Sequence, residues 1–115
     1  MFEFWIKDTL IGHSNLEQGD PPMGVAHGRF IPAQSFDLFR HNAERLDEDT
    51  RRWRGLAVKT ANGQEIECHM GIAIIEYGPL DDIFAIEVTC LGIGYPLYEE
   101  LFPHHVKSYE ESFED

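Results

Sequence analysis

Positive charge is scarce in this sequence. Nine Lys and Arg face 21 Asp and Glu, for a formal net charge of −12 at pH 7. Binding to a phosphate backbone needs a cationic face, so duplex DNA or RNA is not the expected partner. Cysteine is scarce as well. Cys68 and Cys90 stand alone, too few for the disulfide framework on which small secreted domains depend. Both are read as reduced thiols, with a single Cys68–Cys90 disulfide as the alternative. No apolar run approaches the ~20 residues of a membrane span. A basic leader followed by an apolar stretch is also missing, since Glu3 and Asp8 stand in the opening segment; the expectation is a cytoplasmic protein. No repeat, low-complexity tract or linker interrupts the chain, so residues 1–115 are expected to form one domain.

What is present suits a folded globule: 43% of the 115 residues are hydrophobic and 26% are charged. The charge is uneven. Residues 1–28 carry a net −3 and residues 29–59 a net +2. Residues 60–115 hold one base, Lys107, against twelve acids, a net −11. Solubility is the plainer explanation. The sharper one is a surface that attracts a basic protein and speeds its capture.

Alternating apolar residues at Phe2, Phe4 and Ile6 predict a strand, with a second short strand at residues 10–13. Residues 14–23 read as a loop stiffened by Pro21 and Pro22. Residues 23–31 read as a strand broken by Gly24 and Gly28. Ser35 is placed to cap a helix. The spacing of Phe36, Phe39, Ala43 and Leu46 then predicts the main helix, ending among residues 47–50. Three strands follow: residues 56–60, residues 64–70 after the Asn62-Gly63 hairpin signal, and residues 72–77. Ile66, Cys68 and Met70 are expected inward on the second of these. A turn at residues 78–82 leads to a strand with Phe84, Ile86, Val88 and Cys90 inward. Pro96 opens a short final helix carrying Leu97, Leu101 and Phe102, and residues 108–115 are expected to fray. The pattern predicts the α+β class, with a mostly antiparallel sheet of about five to six strands, one main helix and a short C-terminal helix.

The chemistry-bearing residues form no catalytic or metal-binding signature. Zinc sites favour tight ligand pairs such as C-x2-C. Cys68-His69 and His104-His105 are adjacent instead, and His41 with Glu44 lacks the second His of H-E-x-x-H. Neither a metal nor another cofactor is expected. Cys68 and Cys90 fall in register with apolar neighbours and read as core thiols. Ser14 has no nucleophile elbow around it. Binding is accordingly favoured over catalysis.

Two surfaces remain as candidates. The first is acidic and aromatic: Tyr95, Tyr98, Glu99, Glu100, Asp81 and Asp82. Tyrosines among carboxylates suit a Lys- and Arg-rich partner through ion pairs and cation–π contacts. Trp5 and Trp53, both beside charges in sequence, add possible interface anchors. The second is the loop spanning residues 12–32, where Asp20, His27 and Arg29 are the polar candidates for a ligand pocket.

In size, α+β pattern and acidic C-terminal half, with Tyr95, Tyr98, Glu99 and Glu100, the chain resembles the small acidic bacterial immunity proteins encoded beside toxins. The resemblance is one of style rather than of a shared motif. It implies tight stoichiometric binding that covers the basic active site of a toxin. Three expectations follow. The first is a binding or inhibitor protein for a basic partner. The second is a small enzyme or ligand-binding domain using the 12–32 loop. The third is an oligomerisation module that uses a free sheet edge.

Overall fold

The computed structural model describes residues 1–39, 43–45, 50–53, 55–76 and 86–113. Eleven strands are found among them: β1 (Phe2–Ile6), β2 (Thr9–Ser14), β3 (Gln18–Asp20), β4 (Val25–Arg29), β5 (Ile31–Pro32), β6 (Glu44–Arg45), β7 (Thr50–Arg52), β8 (Leu56–Lys59), β9 (Glu65–Ile66), β10 (Cys68–Glu76) and β11 (Ile86–Ile93). Three helices accompany them: α1 (Phe36–Phe39), α2 (Leu97–Leu101) and α3 (Pro103–Glu111). The α+β class is as expected. The strands, however, divide into two antiparallel sheets, ordered β5-β2-β1-β8-β9 and β3-β4-β11-β10-β7-β6. Alternation reveals which face of a strand is apolar, not which strand lies beside it. At Glu67 the chain passes from β9 in one sheet to β10 in the other, dividing what reads as one strand.

The inner faces share one core. Phe4, Ile6, Ile11, Val58 and Ile66 contribute from the first sheet, and Ala26, Ile72, Ile74, Val88 and Cys90 from the second. Rings fill the rest. Phe4, Phe30, Phe36 and Trp53 form a chain with centroids 5.2–5.8 Å apart, within the usual range for edge and tilted pairs. Trp53 is therefore a core residue rather than an interface anchor, and its Nε1–H donates to the Phe39 carbonyl at 2.6 Å. Trp5 is half-buried, with the Lys59 ammonium 5.0 Å from its ring centroid.

The main helix is where expectation and structure part. Among the described residues α1 covers a single turn, and Glu44–Arg45 is strand, paired with β7. The Ser35 hydroxyl donates to the Leu10 carbonyl. Pairing with β7 outweighs the modest helical preference of the segment; Leu46 and His41 lie outside the described residues.

The longest described helix is α3 instead. Pro103 sits at its first turn, where its missing N–H costs nothing. Residues 108–111, expected to fray, belong to it. Met70, expected inward, is 62% exposed. An irregularity between Cys68 and Gly71, with Gly71 at φ +91°, turns it outward. The Asn62-Gly63 hairpin forms between β8 and β9, with a three-residue loop closed by the Thr60 N–H on the Gln64 carbonyl at 2.8 Å.

Candidate protein-binding surface

The surface begins with the way the α2–α3 elbow docks on the turn between β3 and β4. Tyr98 is fully buried and its hydroxyl donates to the Val25 carbonyl at 2.7 Å. Tyr95 is 53% exposed, and its hydroxyl donates to the Pro21 carbonyl at 3.0 Å. The two rings are 5.6 Å apart. One tyrosine anchors the elbow while the other keeps its face in solvent. Tyr98 is thus corrected from a partner-facing residue to a core residue. Desolvation first, then Tyr95 and the Asp20 carboxylate, push the Tyr98 phenol up to about 12.

Around Tyr95 the structure gathers groups that are far apart in sequence. Desolvation of its hydroxyl, then the carboxylates of Glu99 and Glu110 and the phenol of Tyr109, push its pKa up. Tyr109 is 38% exposed and meets the more exposed Phe113 edge-on, with centroids 5.0 Å apart. Met23, in the 3-10 turn Pro21–Met23 that accepts the Tyr95 hydroxyl, is exposed too. Glu99 and Glu100 are exposed on α2. Lys107, the base of this half, lies 3.9 Å from Glu111. Asp81 and Asp82 lie outside the described residues.

A groove of about 390 Å³ runs between the β3 turn and α3, lined by Glu17, Asp20, His105, Ser108, Tyr109 and Ser112 among others. Neither Lys nor Arg lines it among the described residues. Asp20 therefore joins the acidic face. His27 and Arg29 do not line this groove. On β4, Ala26 and Gly28 are buried, so His27 and Arg29 point the other way. His27 Nδ1 lies 3.3 Å from a Glu87 carboxylate oxygen on the neighbouring strand, and Arg29 is exposed. Of the three residues of the expected 12–32 pocket, this groove holds Asp20 and neither of the others. Among the described residues no group of three His, Cys, Asp or Glu side chains is placed to hold a metal ion.

His105 holds α3 down. It is 6% exposed, its ring stacks on Phe102 at 5.1 Å, and its Nε2–H donates to the Leu16 carbonyl at 2.8 Å. Burial, partly opposed by that hydrogen bond, lowers its pKa from 6.5. The unfolded chain therefore takes up this proton first as pH falls. The contribution is complete above pH 6.5 and is lost as pH drops below that value. The expected result is a melting temperature level from pH 8 to 7 that falls towards pH 5, with a shallower fall in His105→Gln. An equal fall in both proteins would assign the effect to other groups.

No family model matches this chain, and no curated protein or solved structure matches it. No helix among the described residues is long and apolar enough to cross a membrane.

Tyr109 is one of the tyrosines that the acidic C-terminal segment offers in sequence, whereas Phe113, Glu110 and Met23 are not among the residues expected there. Their signal was the i, i+4 spacing of His105, Tyr109 and Phe113, which the surrounding charge obscured.

Proposed function

We propose that this chain is a cytoplasmic protein-binding domain for a basic partner, an inhibitor or immunity protein that neutralises a cationic toxin or enzyme. One observation carries this reading: Met23, Tyr95, Tyr109 and Phe113 are exposed apolar groups on the β3–β4 turn and the C-terminal helices, in company with Asp20, Glu99, Glu110 and Glu111. Aromatic anchors supply most of the energy at protein interfaces. Carboxylates around them speed encounter with a cationic surface and reject acidic competitors. The ligand-pocket reading has less support, because neither His27 nor Arg29 lines the groove that contains Asp20.

The test is affinity capture from native-host lysate at low and high salt, read by mass spectrometry, with a purified repeat of any complex found. The expected result is one dominant basic protein at near-equal stoichiometry, released by salt. Glu99→Lys with Glu100→Lys should weaken the purified complex about tenfold or more without changing the melting temperature, since both residues are exposed. A partner whose affinity ignores both salt and charge reversal overturns the reading.

A further inference from the structure

The two thiols lie on neighbouring strands. In the β10–β11 ladder Ile72 is opposite Cys90 and Cys68 is opposite Ile93. The ladder is irregular between these pairs, with Gly71 at φ +91° on one strand and Gly92 at φ +76° on the other. An irregularity of this kind takes up residues without extending the strand. It returns Cys68 and the buried Ile93 to the inner face, where the Cys68 side chain comes within hydrogen-bond reach of Cys90. A disulfide spans roughly 4.4–6.8 Å between Cα atoms, a closer approach than two thiols in hydrogen-bond contact require. Glycine at both irregular positions leaves the backbone free to make up the difference.

The pair is asymmetric. Cys90 is fully buried, whereas Cys68 is half-buried and lines an open groove of about 180 Å³ with Leu56, Glu65, Glu67 and Gly71. A hydrogen bond from Cys90 lowers the Cys68 pKa against the opposing effects of burial and of Glu67. The same contact, with burial, raises that of Cys90. The accessible sulfur is thus also the more readily ionised one, and the thiolate is the nucleophile in thiol chemistry.

We propose that Cys68 and Cys90 form a redox couple in which Cys68, reached through the groove, is oxidised by a peroxide and Cys90 closes an intramolecular disulfide joining β10 to β11. The Cys68 thiolate attacks one oxygen of hydrogen peroxide and the O–O bond breaks. Cys68 becomes a sulfenic acid, and the departing hydroxide leaves as water with the thiol proton. The Cys90 sulfur then attacks Cys68 Sγ, the S–O bond breaks, and the hydroxyl leaves as a second water with the Cys90 proton. Two thiols lose two electrons in all, and the two peroxide oxygens gain them.

The experiment uses the reduced, purified chain and hydrogen peroxide in slight excess. Free thiols are counted and intact mass is read over time, beside Cys90→Ser and Cys68→Ser. The wild type should lose both thiols together, become lighter by two hydrogens, form no disulfide between chains and recover on treatment with a dithiol. Cys90→Ser should stall with a single oxygen on Cys68, trapped by dimedone. Cys68→Ser should react at least about tenfold more slowly than the wild type, because only the buried sulfur remains. Oxygen addition to the wild type with no loss of two hydrogens would overturn the couple, and that reading depends on neither variant folding. Equal reaction rates for the two variants would overturn the assignment of Cys68 as the entry point.

Discussion

Phe102→Ala is expected to lower the unfolding free energy by about 3–5 kcal/mol, the usual cost of emptying a fully buried aromatic site. Phe102 has no exposed surface and stands at the elbow between α2 and α3. Its ring lies 5.3 Å from Phe2, 5.2 Å from Tyr98 and 5.1 Å from His105. Its N–H closes α2 on the Tyr98 carbonyl at 2.8 Å, and its own carbonyl accepts the N–H of His105. Removing the ring therefore loosens the first sheet, α2 and α3 together. A domain of this size has roughly 5–15 kcal/mol of stability in all, so about a fifth of it or more is at stake. Urea denaturation followed by tryptophan fluorescence measures the loss. The comparison is Phe113→Ala, which removes a ring that is 72% exposed and should shift stability by less than about 0.5 kcal/mol. A Phe102→Ala loss under about 1 kcal/mol would mean that the elbow is not seated on the core.

Gly24→Ala should cost roughly 2–5 kcal/mol, a left-handed backbone penalty added to a backbone clash. Gly24 lies at φ +63° and ψ +32°, where it ends the 3-10 turn. A β-carbon there would stand 2.5 Å from the Ile93 carbonyl oxygen and 3.0 Å from the Ile93 nitrogen. Neither atom can yield cheaply, because the Ile93 N–H already donates to the Gly24 carbonyl at 2.9 Å. Gly63→Ala separates the two effects. Gly63 has φ +91°, but a β-carbon there meets nothing within 4 Å, so only the backbone cost of about 1–2 kcal/mol applies. Equal losses in the two variants would remove the clash from the explanation. Gly24→Ala carries a second consequence, since its turn presents the Pro21 and Val25 carbonyls to Tyr95 and Tyr98. Under the proposed function it should also weaken binding of the basic partner, whereas Gly63→Ala should not.

Much of the strand content was legible because alternation has a direct physical cause: successive side chains on a strand point to opposite faces. Phe4 and Ile6, and Val88 and Cys90, are buried as the period-two pattern requires. Asn62-Gly63 marked its hairpin because Gly63 adopts a left-handed backbone. The stripe at Phe36, Phe39 and Ala43 misled because helical spacing states what a helix would bury, not whether a helix outcompetes strand pairing. Met70 misled because two glycine-bearing irregularities shift the alternation, and a glycine in sequence does not announce its φ.

The proposed binding face was legible in its chemistry but not in its membership. Glu99, Glu100 and Tyr95 stood out by composition and remain exposed. Tyr98 was indistinguishable from Tyr95 by residue type and by neighbours in the chain. Both hydroxyls donate to carbonyls more than 70 positions away, and the difference is that the Tyr98 ring is enclosed by Phe102 and His105 while the Tyr95 ring stays exposed.

The sequence by itself determined the α+β class, the inward register of β1 and β11, the hairpin before β9 and the acidity of the C-terminal half. Each of these is set by residue type or by neighbours a few positions apart. Only the tertiary structure decided the division into two sheets, the seating of α3 through His105 and Phe102, the meeting of Asp20 with the tyrosines, and the approach of Cys68 to Cys90. These depend on contacts between residues far apart in the chain, and such contacts are selected by the packing of the whole core rather than by any local preference.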